Sequence, residues 1–442
     1  MAKRNGLTRR GVLGATAAGA VVLGGGRVRR ALAAPPTIAA GTKFTYWGGL
    51  IFSDKANKLL VDTINQWGSD NKIPTEVVMV SQNDTVQKVS AAIESNTMPD
   101  ALDVGLDLLL VLAKQKLFVP VDKLYADIAA AQGGWLKAVD LASDTTPLAG
   151  NRLGIPFGVS GNMLHRRNDV LTKAGFPNAA KTWEELSTQA AKAQKPPLYG
   201  LGLALSNVGD GNTQIGVLQS YGGRIADDSG KKAAIKSDQT RTYLKWVKDA
   251  WDKKLFPPGN TTWDGAGDNN AYLSGQAIFI ANTGSVGIQA RIDDKDLYDT
   301  TLYSSLPGGP VGVISPIGPQ LRVIPKSSKN PEVGLALFEY LARPEFVNAY
   351  YQTAIYGPVL NGQAKMKAFD GSDPILAGLL DLAQKGTAPG YPDVYNPAYA
   401  DMSNNFIVPK MIQRVVIDNW DFDRAMDEAQ TQIQVIYDKY KA

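Results

Sequence analysis

The sequence predicts an α/β protein built as two lobes, and three observations carry that prediction. The chain has 442 residues, more than one hydrophobic core usually organises. From residue 43 onward its patterns run strand, helix, strand, helix, strand, the signature of a mostly parallel sheet. Finally, Ala277-Ile278-Phe279-Ile280-Ala281 is a short apolar run bounded by Gly275 and by Asn282-Thr283-Gly284. That is a core strand opening into a loop at its C-terminal end, the edge at which open α/β sheets receive ligands.

Residues 1–34 follow a different logic. Lys3 and Arg4, the run Thr8-Arg9-Arg10-Gly11-Val12-Leu13, a weakly apolar Ala/Gly/Val stretch and Ala31-Leu32-Ala33 read as a signal peptide. The Arg9-Arg10 pair resembles a twin-arginine export motif, and Arg27, Arg29 and Arg30 suit that route. The leader holds seven of the 46 basic residues and no acidic one, which leaves 39 basic against 42 acidic residues in the remainder. The basic character therefore belongs to the leader, and a nucleic-acid partner loses its support. Cysteine is absent, so the expectation is a free periplasmic protein without disulfides or a lipid anchor. One histidine, His165, excludes His-rich metal sites and makes a His-based catalytic triad implausible.

The elements follow in order. Residues 43–47 alternate as a first strand ending in Gly48-Gly49, and Ser53 or Asp54 caps a helix with Leu60, Ile64 and Trp67 on one face. A strand over 76–80 precedes a helix capped by Asp84, with Val86, Val89 and Ile93 inward. The run Pro99 to Gly105 reads as a third strand and leads into a helix over 106–116. In 163–186, Asp169 caps a helix that Gly175 ends, and Thr182 with Glu185 forms a capping box. A strand is expected over 197–205, a hairpin over 222–235 turning at Ser229-Gly230, and an amphipathic helix over 240–254 through Leu244, Val247 and Trp251. In 268–287, Ala271 to Leu273 close a helix that Ser274-Gly275 stop before the apolar strand. Leu335, Phe338, Leu341 and Phe346 give a later helical face, and 373–442 is helical with Met426, Ile433 and Ile436 inward.

Several of these segments resemble the family 1 extracellular solute-binding proteins of sugar-type ABC importers. The resemblance rests on DNNAYLSGQAIFIANTGSVG at 268–287, on Met98-Pro99-Asp100, on 117–121 and on 152–157. Its most specific part is MLHRRNDVLTKAGFPNAAKTWEEL at 163–186, and 306–310, 324–331 and 356–359 extend it. It implies a type II periplasmic binding protein, two α/β lobes around a hinged ligand cleft. The implied N-terminal lobe is 43–156 plus 319–356 and the C-terminal lobe 157–318 plus 357–442, with crossings near Phe157, Gly318 and Tyr356. The helical tail from 373 is expected on the second lobe. The implied partners are a small solute and membrane permease subunits, with a monomeric chain, no cofactor, no metal and no catalytic residue.

Sugars are held by aromatic faces and by planar polar groups that match pairs of hydroxyls. By position at strand ends, the candidates in the first half are Trp47, Gln82, Asn83, Asp103, Asp107, Phe157 and Ser160. In the second half they are Asn207, Asp210, Asn212, Trp263, Asp264, Asn282, Thr283, Gly284, Arg322, Tyr356 and Asn405. Many family members place a Trp where this chain has Val286, and an aromatic where it has Asp103, Gly105 and Asp107. These departures favour a monosaccharide, disaccharide or polyol over a long glucan. An anionic solute such as glycerol phosphate, with Arg322 as its partner, and a polyamine held by the acids remain open. So does a glycosidase using Asp264 with Asp268 or Asp103 with Asp107, since carboxylate separation cannot be read from sequence.

Overall fold

The computed structural model describes residues 37–51 and 53–440. The expected leader at 1–34 lies outside them, as do the side chains of Gln82 and Asn83. Among the described residues no helix is long and apolar enough to cross a membrane.

Among the described residues, eleven strands form two main sheets and one small hairpin. The strands β1 (Phe44–Leu50), β2 (Thr75–Ser81), β3 (Ala101–Gly105) and β4 (Ile155–Ser160) belong to the first sheet. The second sheet contains β5 (Met163–Arg167), β6 (Tyr199–Leu201), β7 (Ala277–Asn282) and β8 (Thr301–Ser304). The hairpin pairs β9 (Gly308–Gly309) with β10 (Gly312–Val313), and β11 (Gly318–Val323) returns to the first sheet. The orders are β2-β1-β3-β11-β4 and β6-β7-β5-β8.

Strand direction decides where a site can form. β1 runs parallel to β2 and β3, while β11 is antiparallel to β3 and to β4. Leu50, Ser81, Gly105 and Ser160 therefore end on one edge, and β11 starts there, with Gly318 opposite Ser160. In the second sheet β5 is antiparallel to β7 and β8, and Met163 lies opposite Asn282. The chain thus leaves the first sheet at Ser160 and enters the second at Met163 with only Gly161-Asn162 between, so both edges face a common space. The sheets are mixed rather than mostly parallel, because β11 runs back between β3 and β4 in the first and β5 runs against β7 and β8 in the second.

Each sheet carries its own core. The first gathers Phe44, Tyr46, Leu60, Ile64, Leu102, Leu109, Val323 and Phe338, and the second Leu164, Trp183, Leu218, Tyr243, Phe279, Met411 and Ile433. Most expected helices form. Ser53 caps Asp54–Asp70, accepting from the Ala56 N–H at 3.3 Å, and Leu60, Ile64 and Trp67 are buried. Met426, Ile433 and Ile436 are buried on Phe422–Asp438.

Other expectations are corrected. The helix Gln82–Ser95 starts two residues before Asp84, which sits in its first turn, and Val86 faces solvent. Asn168–Lys173 likewise starts before Asp169, whose carboxylate takes a forked bond from Arg167 at 3.0 Å to each oxygen. In the capping box, Thr182 accepts from the Glu185 N–H at 3.1 Å, but Glu185 reaches the Lys181 N–H instead of that of Thr182. The strand expected over 197–205 shortens to β6, and the expected hairpin reduces to one bridge between Ala226 and Ala233. Phe157 to Ser160, expected past the lobe boundary, remain in β4 of the first sheet, and the change of sheet falls at Gly161-Asn162.

The helix Pro374–Lys385 packs between the sheets: a Cβ on Gly378 would stand 2.3 Å from Tyr303 of β8 and 2.9 Å from Met163 of β5, Asp381 accepts from the Ser305 N–H at 2.8 Å, and Ile375, Leu376, Leu379, Leu382 and Ala383 share a core with residues of the first sheet. It lies along the links between the sheets. A Cβ on Gly161 would stand 3.2 Å from Leu382, and one on Gly357 2.6 Å from the Leu379 carbonyl oxygen. Just beyond the helix, Thr387 exchanges backbone hydrogen bonds with Ser315 and Ile317 at 2.9 and 3.0 Å.

Candidate functional site

The space where the two sheets present their edges contains a cavity of about 320 Å³. From the first sheet come Leu50 at the end of β1 with Ile51 after it, Ser81 at the end of β2, and Ser160 at the end of β4 with Gly161 after it. Thr283, Gly284 and Ser285 face them from the loop after β7, and Ile355, Tyr356 and Leu379 complete the lining. The hydroxyl-bearing residues Ser81, Ser160, Thr283, Ser285 and Tyr356 line the cavity together with the apolar Leu50, Ile51, Ile355 and Leu379. Among the described lining residues none is charged.

Two helices begin at this cavity. Ser81 precedes Gln82–Ser95 and makes no side-chain capping bond, and Gly284 precedes Ser285–Asp293. Their first-turn N–H groups have no acceptor within the helix and suit hydroxyl or carbonyl oxygens. Ser160 donates to the Gly318 carbonyl at 3.1 Å, and the hydroxyls of Thr283 and Ser285 lie 2.8 Å apart.

Of the residues expected from the sequence, the structure brings Ser160, Thr283, Gly284 and Tyr356 together at the cavity. Asn282 sits directly behind it. Its side-chain amide donates to Asp268 at 2.9 Å and to Asn269 at 2.5 Å, its side-chain oxygen accepts from the Thr283 N–H, and its carbonyl faces His165 Nε2 at 3.0 Å. Asp210 is near enough to Asp268 for like charge to act between them. Burial first and this charge second push Asp268 up to about 6, and burial also raises Asp210.

The expected charged contacts are engaged elsewhere. Arg322 is buried, 3.7 Å from Asp103, 3.2 Å from the Tyr46 hydroxyl, and with its guanidinium 4.2 Å over the Phe157 ring. Asp103 accepts from Tyr46 and, at 3.1 Å, from the Gly49 N–H. Burial pushes its carboxyl up, against the lowering by Arg322, Tyr46 and Gly49. Phe157 also packs edge-on to Tyr356, 5.8 Å between ring centres, so it belongs to this buried cluster. Asp107 accepts from the Tyr395 hydroxyl at 3.0 Å.

The remaining candidates are dispersed. Trp47 is half-buried against the first core, and Trp263 packs on Gly267 and a small cluster with Ala271 and Tyr272. Asp264 is exposed and accepts from the Ala266 N–H at 3.0 Å. Asn207 is exposed near Gln413, Asn212 donates to the Ser403 carbonyl at 3.1 Å, and Asn405 folds back on Asp401 at 2.8 Å. The backbone of Gln82 and Asn83 opens the helix beside the cavity, and their side chains lie outside the described residues.

Ser81 and Ser285 were within reach of sequence reasoning, because each adjoins a residue chosen by the strand-end rule, Gln82 and Gly284. Leu50 carries the first strand past the expected stop at Gly48-Gly49, and Ile51 follows it. Ile355 and Leu379 arrive from a distant segment and carried no local signal. A second surface cavity, about 330 Å³, is bordered by Lys410 and by Arg414, which pairs with Glu428 at 2.8 Å and with Asp418 at 2.9 Å.

Comparison with known proteins adds independent findings. Residues 61–377 match the family model described as bacterial extracellular solute-binding protein. A binding protein of Brucella abortus is 22% identical over 360 residues, covering 80% of this chain and 83% of that protein. Among solved structures, the sugar-binding protein MalE from Xanthomonas citri is similar at TM-score 0.74 and 19% identity, over 90% of this chain and 98% of that one. A solute-binding protein from Thermotoga lettingae bound with α-D-tagatose is similar at TM-score 0.67 and 20% identity, over 90% and 100%.

Proposed function

This chain belongs to the bacterial extracellular solute-binding protein family, and from that premise we propose that it captures a neutral carbohydrate and delivers it to the permease of an ABC importer. The observation that carries the carbohydrate reading is the cavity itself. Its hydroxyls on both sheets and its apolar wall match a sugar, whose hydroxyl edges need hydrogen bonds and whose C–H faces need apolar contact. The similar proteins with bound tagatose, maltose and laminaribiose support the same class. At about 320 Å³ the space suits a monosaccharide or disaccharide, or a polyol, more than a long glucan.

The anion reading loses Arg322, and the polyamine reading loses Asp103 and Asp107. Arg322 is committed to Asp103 and Tyr46, Asp103 to Arg322, Tyr46 and Gly49, and Asp107 to Tyr395. In this reading Ser81, Ser160, Thr283, Ser285 and Tyr356 contact the solute, and the two lobes close on it by bending at Gly161-Asn162 and the two later links. The chain is exported to the periplasm by the twin-arginine route, without a lipid anchor, and acts as a monomer.

A thermal-melting panel tests it, with neutral monosaccharides, maltose, laminaribiose and sugar alcohols against glycerol phosphate and spermidine. Binding raises the melting temperature by mass action. A shift with neutral compounds alone is expected, and a shift confined to glycerol phosphate or spermidine overturns the carbohydrate assignment.

A further inference from the structure

We propose that Asp268, Asn282 and His165 act as a positioning brace for the cavity-facing loop Thr283-Gly284-Ser285, setting its geometry without touching the solute. The inference rests on the capture reading only in taking that loop as a wall of the binding site. Asn282 is the hub. Its amide nitrogen reaches two acceptors on the helix Gly267–Leu273, Asp268 at 2.9 Å and Asn269 at 2.5 Å, its side-chain oxygen takes the Thr283 N–H, and its backbone carbonyl meets His165 on β5. Three elements thus fix one residue immediately before the loop, and both Asp268 and Asn282 are buried.

The chemistry of His165 fixes its tautomer. The Asn282 carbonyl can only accept, so Nε2 carries the proton and donates it, while buried Nδ1 has no partner. Tyr303 and Tyr272 enclose the ring edge-on, with centroids at 4.6 and 5.9 Å. Burial disfavours a second proton on the ring and outweighs the raising by the backbone of Asn282 and Thr283, so the ring stays a neutral donor with its pKa held down to about 4.

Asp268 makes the brace sensitive to acid. As a carboxylate it accepts from Asn282 and from the Asn269 N–H at 2.9 Å. A proton on it removes acceptor strength from the hub. Asp210, on the turn Gly209–Asn212, faces it with like charge. Tyr272 on the same helix feels Arg166, Arg167 and Asp169 around β5, and no charged group among the described residues is hydrogen-bonded to Asp268.

Hydrogen exchange of the 283–286 amides, expressed as protection factors, tests the brace without any sugar. In the wild type, protection should fall about tenfold between pH 7.5 and pH 5, the scale of one weakened charged hydrogen bond. Asp268→Asn should flatten that profile, because its side chain no longer titrates. His165→Phe should lower protection at both pH values, and His165→Gln, which restores an N–H donor, should recover most of it. A purely structural role would lower melting temperature without flattening the pH profile. An unchanged profile in Asp268→Asn, or full protection in His165→Phe, overturns the brace. Maltose and laminaribiose titrated into the same proteins form a second arm. If neither binds the wild type, the capture of these sugars fails while the exchange data still judge the brace.

Discussion

Arg322 and Asp103 form an ion pair at 3.7 Å in which both side chains are almost fully buried, 3% and 4% exposed. The pair sits under the first sheet's central strands, with Tyr46 bridging and Phe157 stacked on the guanidinium. Removing one partner leaves an uncompensated buried charge, which typically costs about 3–5 kcal/mol. Arg322→Ala should therefore lower stability by that amount in urea unfolding, and Arg322→Lys by less, because it keeps the charge but loses the planar fork. Affinity for a bound sugar should stay at the wild-type level under conditions where the variant is folded. Lost affinity without lost stability would return Arg322 to the binding surface.

Stability should depend on His165 in acid. Its folded pKa of about 4 lies below its ordinary value of 6.5 because of burial. Below pH 6.5 the unfolded chain takes up a proton that the folded chain refuses, so this contribution falls as pH drops towards 4 and then levels off. The loss approaches about 3 kcal/mol for a shift of that size. Asp268 works in the opposite sense. Its folded value of about 6 exceeds its ordinary 3.8, so ionisation costs stability above pH 6 and the cost is relieved as pH falls through 6. Melting scans from pH 7.5 to 4 should show His165→Gln losing less stability in acid than the wild type, and Asp268→Asn losing more. Parallel curves for all three proteins would contradict both assignments.

The Tyr395 hydroxyl bonds Asp107 at 3.0 Å, and the two residues are anchored in different cores. Tyr395 packs against the second, and Leu106 and Leu109 beside Asp107 belong to the first. Tyr395→Phe removes the one bond and keeps the ring. A larger radius of gyration in X-ray scattering of the sugar-free variant is the expected result, and an identical radius would show that this bond does not hold the cores together.

Gly161 links the sheets at φ +151°, and a Cβ there would stand 2.8 Å from the Pro316 carbonyl oxygen. Both the backbone conformation and the contact exclude a side chain. Gly161→Ala should cost about 1–3 kcal/mol of stability and weaken sugar binding, since the links must bend for closure. A stable variant with wild-type affinity in calorimetric titration would move the bending elsewhere.

Much of this protein was legible in the sequence because its signals are local. The apolar run 277–281 between Gly275 and Asn282-Thr283-Gly284 specified a buried strand and an open loop, and that loop is a wall of the cavity. Amphipathic spacing likewise placed Leu60, Ile64 and Trp67, and later Met426 and Ile433, in the cores. The family segments extended this to two lobes, and 61–377 carries the family match.

What only the tertiary structure decided is which polar residues were left free to meet a solute. Asp103, Asp107 and Arg322 stand at strand ends or opposite them, as a cleft residue should, yet Tyr46, Tyr395 and each other's charges consume them. The partners lie far apart in the chain, and a sequence shows a side chain's chemistry but not whether folding has already satisfied it. Ser81 and Ser285, less conspicuous by type, keep places in the cavity lining, Ser285 with its hydroxyl 2.8 Å from that of Thr283. The same distance explains the helix Pro374–Lys385. Its helical character was visible in the sequence, but only the return of the chain past Gly161 and Gly357 placed it against both sheets, with Gly378 on Tyr303 and Leu379 on Gly357.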